Sequence, residues 1–380
     1  MPTSTSLSTA EMARYARHLA IPEFGVAAQE KLKAAKVLVI GSGGLGSPLL
    51  LYLAAAGVGQ LGIVDFDVVD ESNLQRQVLF TVADVGQSKA LTAKKRLEAL
   101  NPHIKIEVFN IAFTTKNALE ISKEYDIIAD GTDNFPTRYL TNDVCVLMGK
   151  VNVYASIFRF EGQVSVFNYL DKNGERGPNY RDLFPQPPPP NMVPNCAEGG
   201  VLGVLPGIIG SLQANEVIKI ITGVGEPLSG RLFLFDAASF TTRNLKIRKN
   251  PTTTITELID YDQFCGIVPK KEASMVKSIN VHELKDWRDS EKDFQLIDVR
   301  ETYEYDICNL DGELVPLNTL LNYVAEISKT KPVVVQCRSG VRSANAIKVL
   351  QQQFGFDNLY NLEGGILAWA REIDSSMPTY

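Results

Sequence analysis

The sequence predicts an α/β protein built as two domains, and three observations carry that expectation. The apolar run Lys36–Ile40 (KVLVI) breaks into Gly41-Ser42-Gly43-Gly44-Leu45-Gly46 and then into a helical pattern, as a strand, a tight turn and a helix would. Short apolar runs alternate with helical patterns as far as residue 130, the reading of a parallel sheet with crossover helices. At 380 residues the chain is about twice an ordinary domain, and its composition shifts at 251–278 to threonine runs and then lysine-rich polar residues. The expected division is 1–255, a linker over 256–278, and 279–380.

Composition excludes several function classes. A net charge of -6 gives no reason to expect nucleic-acid binding. No apolar run reaches the roughly 18 residues of a membrane span, and residues 1–10 have no apolar core like a signal peptide, so a cytoplasmic protein is expected. Five scattered cysteines (Cys145, Cys196, Cys265, Cys308, Cys337) point to free thiols in a reducing compartment. Three histidines, His18, His103 and His282, argue against catalysis centred on an imidazole base.

Residues 11–34 read as two helices broken at Ile21–Gly25, with Arg14, Tyr15, Arg17 and His18 within about one turn, by themselves a solvated basic face. In the glycine turn, Gly41 permits the sharp reversal, Gly43 lets phosphate approach the backbone, Gly46 lets helix and strand pack closely, and Gly44 lies between them. The turn ends at a helix amino terminus, which favours an anion. Asp65 ends the next strand, where a carboxylate can accept ribose hydroxyls. This is a Rossmann-like start. A hydride-transfer site needs few cations, yet Asn73, Arg76 and then Lys89, at the start of a helix over 88–100, follow at once. Attack on a triphosphate does need such charge.

A strand at 104–110, a helix near 116–125 and a strand at 126–130 carry the sheet to Asp133, at a strand's carboxyl end. Asp133 suits Mg²⁺ on phosphates, or either Asp133 or Asn134 caps the next helix. Residues 151–169 alternate as antiparallel strands, so the sheet is mixed. An irregular segment, 173–200, delivers Cys196, either a reactive thiol or a small buried hydrophobe. A helix over 205–222 and two strands within 231–250 close the domain.

In the second domain the strand at 332–336 ends on Cys337-Arg338-Ser339-Gly340-Val341-Arg342-Ser343, before a helix from Ala344 to Phe354. A six-residue turn after a strand tip is expected to cradle the sulfur in backbone N–H groups, with Arg338 and Arg342 adding charge. Thiol phosphatase and sulfur transferase chemistry both fit that loop.

Residues 11–250 resemble the MoeB/ThiF family, bacterial relatives of ubiquitin-activating enzymes, through RYARH, GSGGLG, DFDVVDESNLQRQ, VGQSKA, GTDN, FRFEGQVSVF and CAEGGVLGVLPGIIGSLQANE. Residues 279–378 resemble a rhodanese domain through LIDVRETYEYDI, CRSGVRS and NLEGGILAW, so the smaller α/β domain is expected to be rhodanese-like. The resemblance implies ATP-dependent adenylation of the carboxyl-terminal Gly-Gly of a ubiquitin-like sulfur-carrier protein, for molybdenum cofactor, thiamine or tRNA thiolation. It implies that Asp65 holds the ribose, that Asn73, Arg76 and Lys89 steady the phosphates, and that Asp133 binds Mg²⁺. Arg17 would reach into the neighbouring subunit of a homodimer. Cys337 would carry a persulfide, charged by a desulfurase, that attacks the acyl-adenylate. Cys196 would then release the thiocarboxylate or trap a thioester.

The sequence departs from that family twice. The two C-x-x-C pairs of the family's structural zinc are replaced around Asn179 and Asp182 and around Asp262 and Cys265. One thiolate of four cannot make the site, so no zinc is expected and packing must hold this segment. DICNLDGELVP also replaces the glycine-histidine stretch usual after DVR. Rival readings are an activator passing a thioester through Cys196 and a non-catalytic carrier-binding scaffold.

Overall fold

The structure, a computed structural model, describes residues 6–188, 200–252, 254–266 and 276–380. The chain divides into two compact units, Met1–Pro269 and Lys270–Tyr380.

The first unit opens with α1 (Thr9–Arg14), α2 (Ala16–Leu19) and α3 (Gly25–Ala34). Ser8 and Glu11 form a capping box on α1, and the buried Tyr15 hydroxyl accepts from Asn101 Nδ2 at 2.9 Å. Next come β1 (Lys36–Ile40), α4 (Gly46–Ala56), β2 (Gln60–Val64), α5 (Lys89–Leu100), β3 (Lys105–Phe109), α6 (Ala118–Ser122), β4 (Ile127–Asp130) and α7 (Phe135–Leu147). Strands β5 (Val151–Phe158) and β6 (Glu161–Phe167), α8 (Tyr180–Leu183), α9 (Leu205–Thr222), and strands β7 (Arg231–Asp236) and β8 (Thr241–Lys246) follow.

The eight-stranded sheet has the order β3-β2-β1-β4-β5-β6-β7-β8. Its first five strands are parallel and the pairs from β5 onward antiparallel, as the alternation over 151–169 predicts. Both faces of β1 are covered: Val37 and Val39 pack with α4 and α9 residues, Leu38 and Ile40 with Tyr139 and Val144 of α7. A strand buried on both faces must be apolar where it is covered, and Val37–Ile40 are, with Lys36 at the half-buried start. Because β1 lies between β2 and β4, the loops leaving β1 and β4 diverge and open a crevice at the carboxyl edge.

The segment expected to be linker contains α10 (Tyr261–Phe264), whose Tyr261 packs with Cys265 into the same core as Tyr139 and Tyr180. Arg181 binds the buried Asp143 through Nε at 2.9 Å and Nη2 at 2.7 Å, and Tyr261 donates to the same carboxylate at 2.8 Å. The Arg181 guanidinium also lies 4.6 Å from the Phe264 ring centroid. Asn179 and Asp182 form a capping box on α8. Burial, and then Asp262 beside it, push the Cys265 thiol up to about 11. Packing and one buried ion pair thus tie this segment to α7 and α8.

The second unit holds β9 (Lys277–Ile279), α11 (Val281–Asp289), β10 (Gln295–Asp298), α12 (Thr302–Ile307), β11 (Glu313–Leu314), β12 (Val333–Gln336), α13 (Val341–Phe354), β13 (Leu359–Leu362) and α14 (Gly365–Glu372). Its five-stranded sheet, β11-β10-β12-β13-β9, pairs in parallel throughout. Helix α13 starts at Val341 rather than the expected Ala344. Gly340, left-handed at φ 88°, ends the turn early by serving as the cap. Among the described residues no helix is long and apolar enough to cross a membrane.

Candidate active site

The crevice beside β1 is lined by Gly41, Gly43, Gly44, Asp65, Arg76, Lys89 and Asp133. Seven of the expected site residues, drawn from four stretches of sequence, therefore meet in one cleft. The glycine turn is shaped by close backbone approach. Gly41 is left-handed at φ +88°, and a Cβ there would stand 3.1 Å from Gly131 O; a Cβ on Gly46 would stand 2.0 Å from Gly41 O. No side chain caps α4, and because Ser47 N donates to Gly43 O at 2.8 Å and Pro48 has no N–H, Gly46 is the residue of its first three whose N–H is open to an anion.

Asp65 is buried and already engaged. One oxygen accepts Ser42 N at 2.8 Å and Ser42 Oγ at 2.7 Å; the other accepts Asp67 N at 2.9 Å. A carboxylate has about four acceptor positions, so these bonds leave capacity for about one further donor unless the Ser42 hydroxyl turns away. Asp65 thus braces the turn as well as facing the cleft.

The cations come from the segment after β2 and from α5. Lys89, 5 % exposed at the start of α5, pairs with Asp67 at 3.0 Å. Arg76 donates through Nη1 to Ser72 O at 3.1 Å. Asn73 is half-buried in a short 3-10 turn, Glu71–Asn73, and is not among the cleft-lining residues. Arg17 is exposed on α2 and does not line the cleft of its own chain.

Asp133 is exposed on the loop after β4, whereas Asn134 caps α7 by accepting Thr137 N at 3.0 Å. The two readings of that pair therefore divide between the neighbours, and the Asp133 carboxylate is left to the cleft. Behind it, buried Asp130 accepts Thr132 N at 2.9 Å and Thr132 Oγ1 at 2.6 Å, while Arg138 Nη2 donates to Thr132 O at 3.1 Å. Burial raises the Asp130 carboxyl, opposed by Arg138.

Sequence reasoning gave no site role to Gln77 and Phe66, although both lie in DFDVVDESNLQRQ, and missed Arg138, Ile111 and Phe113; all five also line the cleft. Gln77 is 5 % exposed, and a Cβ on Gly43 would stand 3.4 Å from its Nε2. The only available signal was positional: residues 111–113 follow β3 at the ligand edge of a parallel sheet.

In the second unit Cys337 follows the central strand β12 and is 1 % exposed. Gly340 N donates to its Sγ at 3.1 Å, the one backbone N–H among the described hydrogen bonds to do so, where a cradle of several was expected. The early start of α13 shortens the turn and accounts for the difference. Ser343 Oγ stands 3.3 Å from Sγ and 2.6 Å from Asn361 Oδ1, and its one proton serves one of them at a time. Gly365 lies under the loop: a Cβ there would stand 2.3 Å from Cys337 O, whose carbonyl accepts Ile366 N at 2.9 Å.

The loop's two arginines differ. Arg342 forks onto Glu304 at 2.7 and 2.6 Å, and that bond holds its guanidinium charged above the usual range. Burial would raise Glu304, but Arg342, the Glu301 N–H and Tyr380 hold it below the usual carboxylate range. Arg338 lies over the Tyr380 ring, 5.3 Å from its centroid. Ser339 and Val341 are exposed at the rim. Cys196 lies outside the described residues.

The ThiF family model matches residues 15–255, and the rhodanese-like domain model matches 280–372. A Mycobacterium tuberculosis protein named probable adenylyltransferase/sulfurtransferase MoeZ is 52% identical over 384 residues, covering 99% of this chain and 97% of its own length. The sulfur carrier protein adenylyltransferase of Thermus thermophilus is 52% identical over 264 residues, 68% of this chain and 97% of its own. Adenylyltransferase and sulfurtransferase MOCS3 of Anopheles gambiae is 43% identical over 405 residues, 99% of this chain and 90% of its own. Among solved structures, E. coli MccB with ATP shares the fold at a TM-score of 0.54 and 24% identity, covering 67% of this chain and 76% of that one. The nucleotide-type cleft, the cysteine loop and both matched regions fall in one order along one sequence, and the chain belongs to the ThiF family, with a rhodanese-like domain following the ThiF region.

Proposed function

We infer that the chain is an adenylyltransferase coupled to a sulfurtransferase, acting on the carboxyl-terminal Gly-Gly of a ubiquitin-like sulfur carrier. The observation that carries this is the convergence of Asp65, Arg76, Lys89 and Asp133 on one cleft beside an uncapped helix terminus. The names of the full-length relatives support both activities.

The carrier's carboxylate is ionised at neutral pH and attacks the α-phosphorus of ATP; acyl-AMP forms and pyrophosphate leaves. No protein base is needed, and none of the three histidines lines the cleft. Positioning and charge carry the step. Asp65 and the glycine turn orient the nucleotide, and Arg76 and Lys89 spread the charge that develops on the phosphates. Lys89 exchanges its Asp67 partner for phosphate, at little cost because the Asp67 side chain is about half exposed. One exposed carboxylate beside a phosphate site suits Mg²⁺, which keeps most of its ligands as water and phosphate, so Asp133 is the residue to hold it. When bound, that ion neutralises phosphate charge.

Cys337, carrying a terminal persulfide sulfur from a desulfurase, attacks the acyl carbon and expels AMP, giving an acyl disulfide. Cys196 thiolate then attacks the Cys337 sulfur; the carrier leaves as thiocarboxylate, and an external thiol reduces the Cys196–Cys337 disulfide. Exposure of Arg17 outside its own cleft supports a homodimer in which each subunit's Arg17 serves the other's site. The setting fits the cytoplasm, and the product feeds molybdenum cofactor, thiamine or tRNA thiolation. The test is ATP–pyrophosphate exchange with Gly-Gly carriers from the same cell. Exchange that depends on a carrier is expected; its absence with every candidate would leave only a binding scaffold. Mass spectrometry of the carrier separates a thiocarboxylate from a thioester held on Cys196.

A further inference from the structure

The cysteine loop is supported by a residue far from it in sequence. Tyr380 lies against the loop with its ring facing the Arg338 guanidinium at 5.3 Å. Its hydroxyl accepts from Arg300 Nη1 at 2.5 Å and donates to Glu304 Oε1 at 3.2 Å. Glu304 is the carboxylate that forks onto Arg342, and Arg300 is fully buried and paired with Asp298 at 2.6 Å. The two carboxylates thus neutralise Arg300 and Arg342. Arg338 forms no ion pair with a carboxylate among the described residues. An aromatic face orients a guanidinium without cancelling its charge, which a carboxylate would do.

We propose that Tyr380 is a positioning residue of the sulfur-transfer loop: its ring holds Arg338, the residue after Cys337, as a cation paired with no carboxylate, and its hydroxyl fixes the Glu304 that orients Arg342. The loop is thereby set to receive anionic sulfur donors and to hold a negatively charged persulfide. The idea rests on the reading of Cys337 as the sulfur-carrying nucleophile.

The full-length protein tests it with two probes. Alkylation of Cys337, followed by mass spectrometry of its peptide, compares anionic iodoacetate with neutral iodoacetamide. The ratio of the two rates reports the cation at the sulfur and is insensitive to the amount of folded protein. Tyr380→Ala is expected to lower that ratio about three- to tenfold, the worth of one cation–π contact. Arg338→Ala should lower it equally, and the double variant no further, because the ring acts through Arg338. Tyr380→Phe, which keeps the ring, should lower it less. In the second probe, thiosulfate passes its outer sulfur to Cys337 and releases sulfite, and cyanide removes that sulfur as thiocyanate. There Tyr380→Ala should raise the KM for thiosulfate more than it lowers kcat. Tyr380→Leu, which keeps bulk without a π face, replaces Tyr380→Ala if the latter does not fold. An unchanged ratio in both the Ala and Leu variants, or additive losses in the double variant, would overturn the proposal. A wild-type Cys337 inert to both alkylators and to thiosulfate would instead overturn the sulfur-transfer reading beneath it.

Discussion

The candidate nucleotide cleft and the cysteine loop are built in opposite ways. In the cleft the reactive side chains are scattered, coming from 41–46, 65–67, 76–89 and 131–138, and the sheet order brings them together. In the loop the reactive group and its immediate neighbours lie in one short run, 337–343, while the support comes from Arg300, Glu304, Asn361, Gly365 and Tyr380. The first arrangement suits a large, multiply charged ligand that must be gripped at several points. The second suits a single sulfur atom whose charge and direction are set from behind.

The comparison breaks most sharply if the two regions do not act independently. Cys337→Ala is expected to abolish thiocyanate and thiocarboxylate formation while carrier-dependent pyrophosphate exchange stays within about twofold; Asp133→Ala should slow exchange, and thiocarboxylate formation with it, by about 100-fold, as loss of one transition-state charge partner does, while thiocyanate formation from thiosulfate stays within about twofold. A common loss of exchange and thiocyanate formation would show one coupled site.

The next largest effect is on stability in the first unit. Arg181→Met leaves Asp143 buried without its partner, which costs about 3–5 kcal/mol. Thermal unfolding should show this in the larger unit, with Tyr261→Phe costing only about 1 kcal/mol for one hydrogen bond. Equal losses would mean that apolar packing alone holds α10.

A matched pair of glycine substitutions sharpens the comparison further. Gly46→Ala and Gly365→Ala each drive a methyl group into a backbone carbonyl, at 2.0 and 2.3 Å. Each should destabilise its own unit by roughly 1–3 kcal/mol, since overpacked backbone must shift. Differential scanning calorimetry should assign each loss to a separate transition.

The smallest effect is on acid stability. Glu304 is held below its ordinary value by Arg342, the Glu301 N–H and Tyr380 against the opposing effect of burial. Its contribution is therefore complete above the ordinary glutamate pKa of about 4.3 and is lost as pH falls through the lower folded value. Glu304→Gln should flatten the stability of the second unit over that acid range and leave neutral and alkaline slopes unchanged.

Much of the fold was legible from periodicity and glycine placement. Strand β1, helix α9 and the antiparallel continuation at β5 and β6 follow the predicted stretches closely, since each is long or strongly patterned. Start positions were less legible: α13 begins at Val341 because a left-handed Gly340 decides it, and neither its φ nor the Leu362 O that a Cβ there would meet at 3.0 Å shows in the sequence. The linker expected over 256–278 was read from composition, which cannot register that Tyr261 and Cys265 find a core to enter.

By itself the sequence determined which groups were available for chemistry: a glycine turn opening a helix, a carboxylate after β2, two cations, an aspartate after β4 and a cysteine at a strand tip. Those assignments are local, because a motif's spacing reflects the turn it must make. Tertiary structure alone decided the partners. It tied Asp65 to Ser42, Lys89 to Asp67, Arg181 to Asp143, and Tyr380 to Arg338 and Glu304. Most of these pairs join residues far apart in the chain, brought within a few ångströms by strand order and core packing. No spacing rule of turns, strands or helices reaches that far.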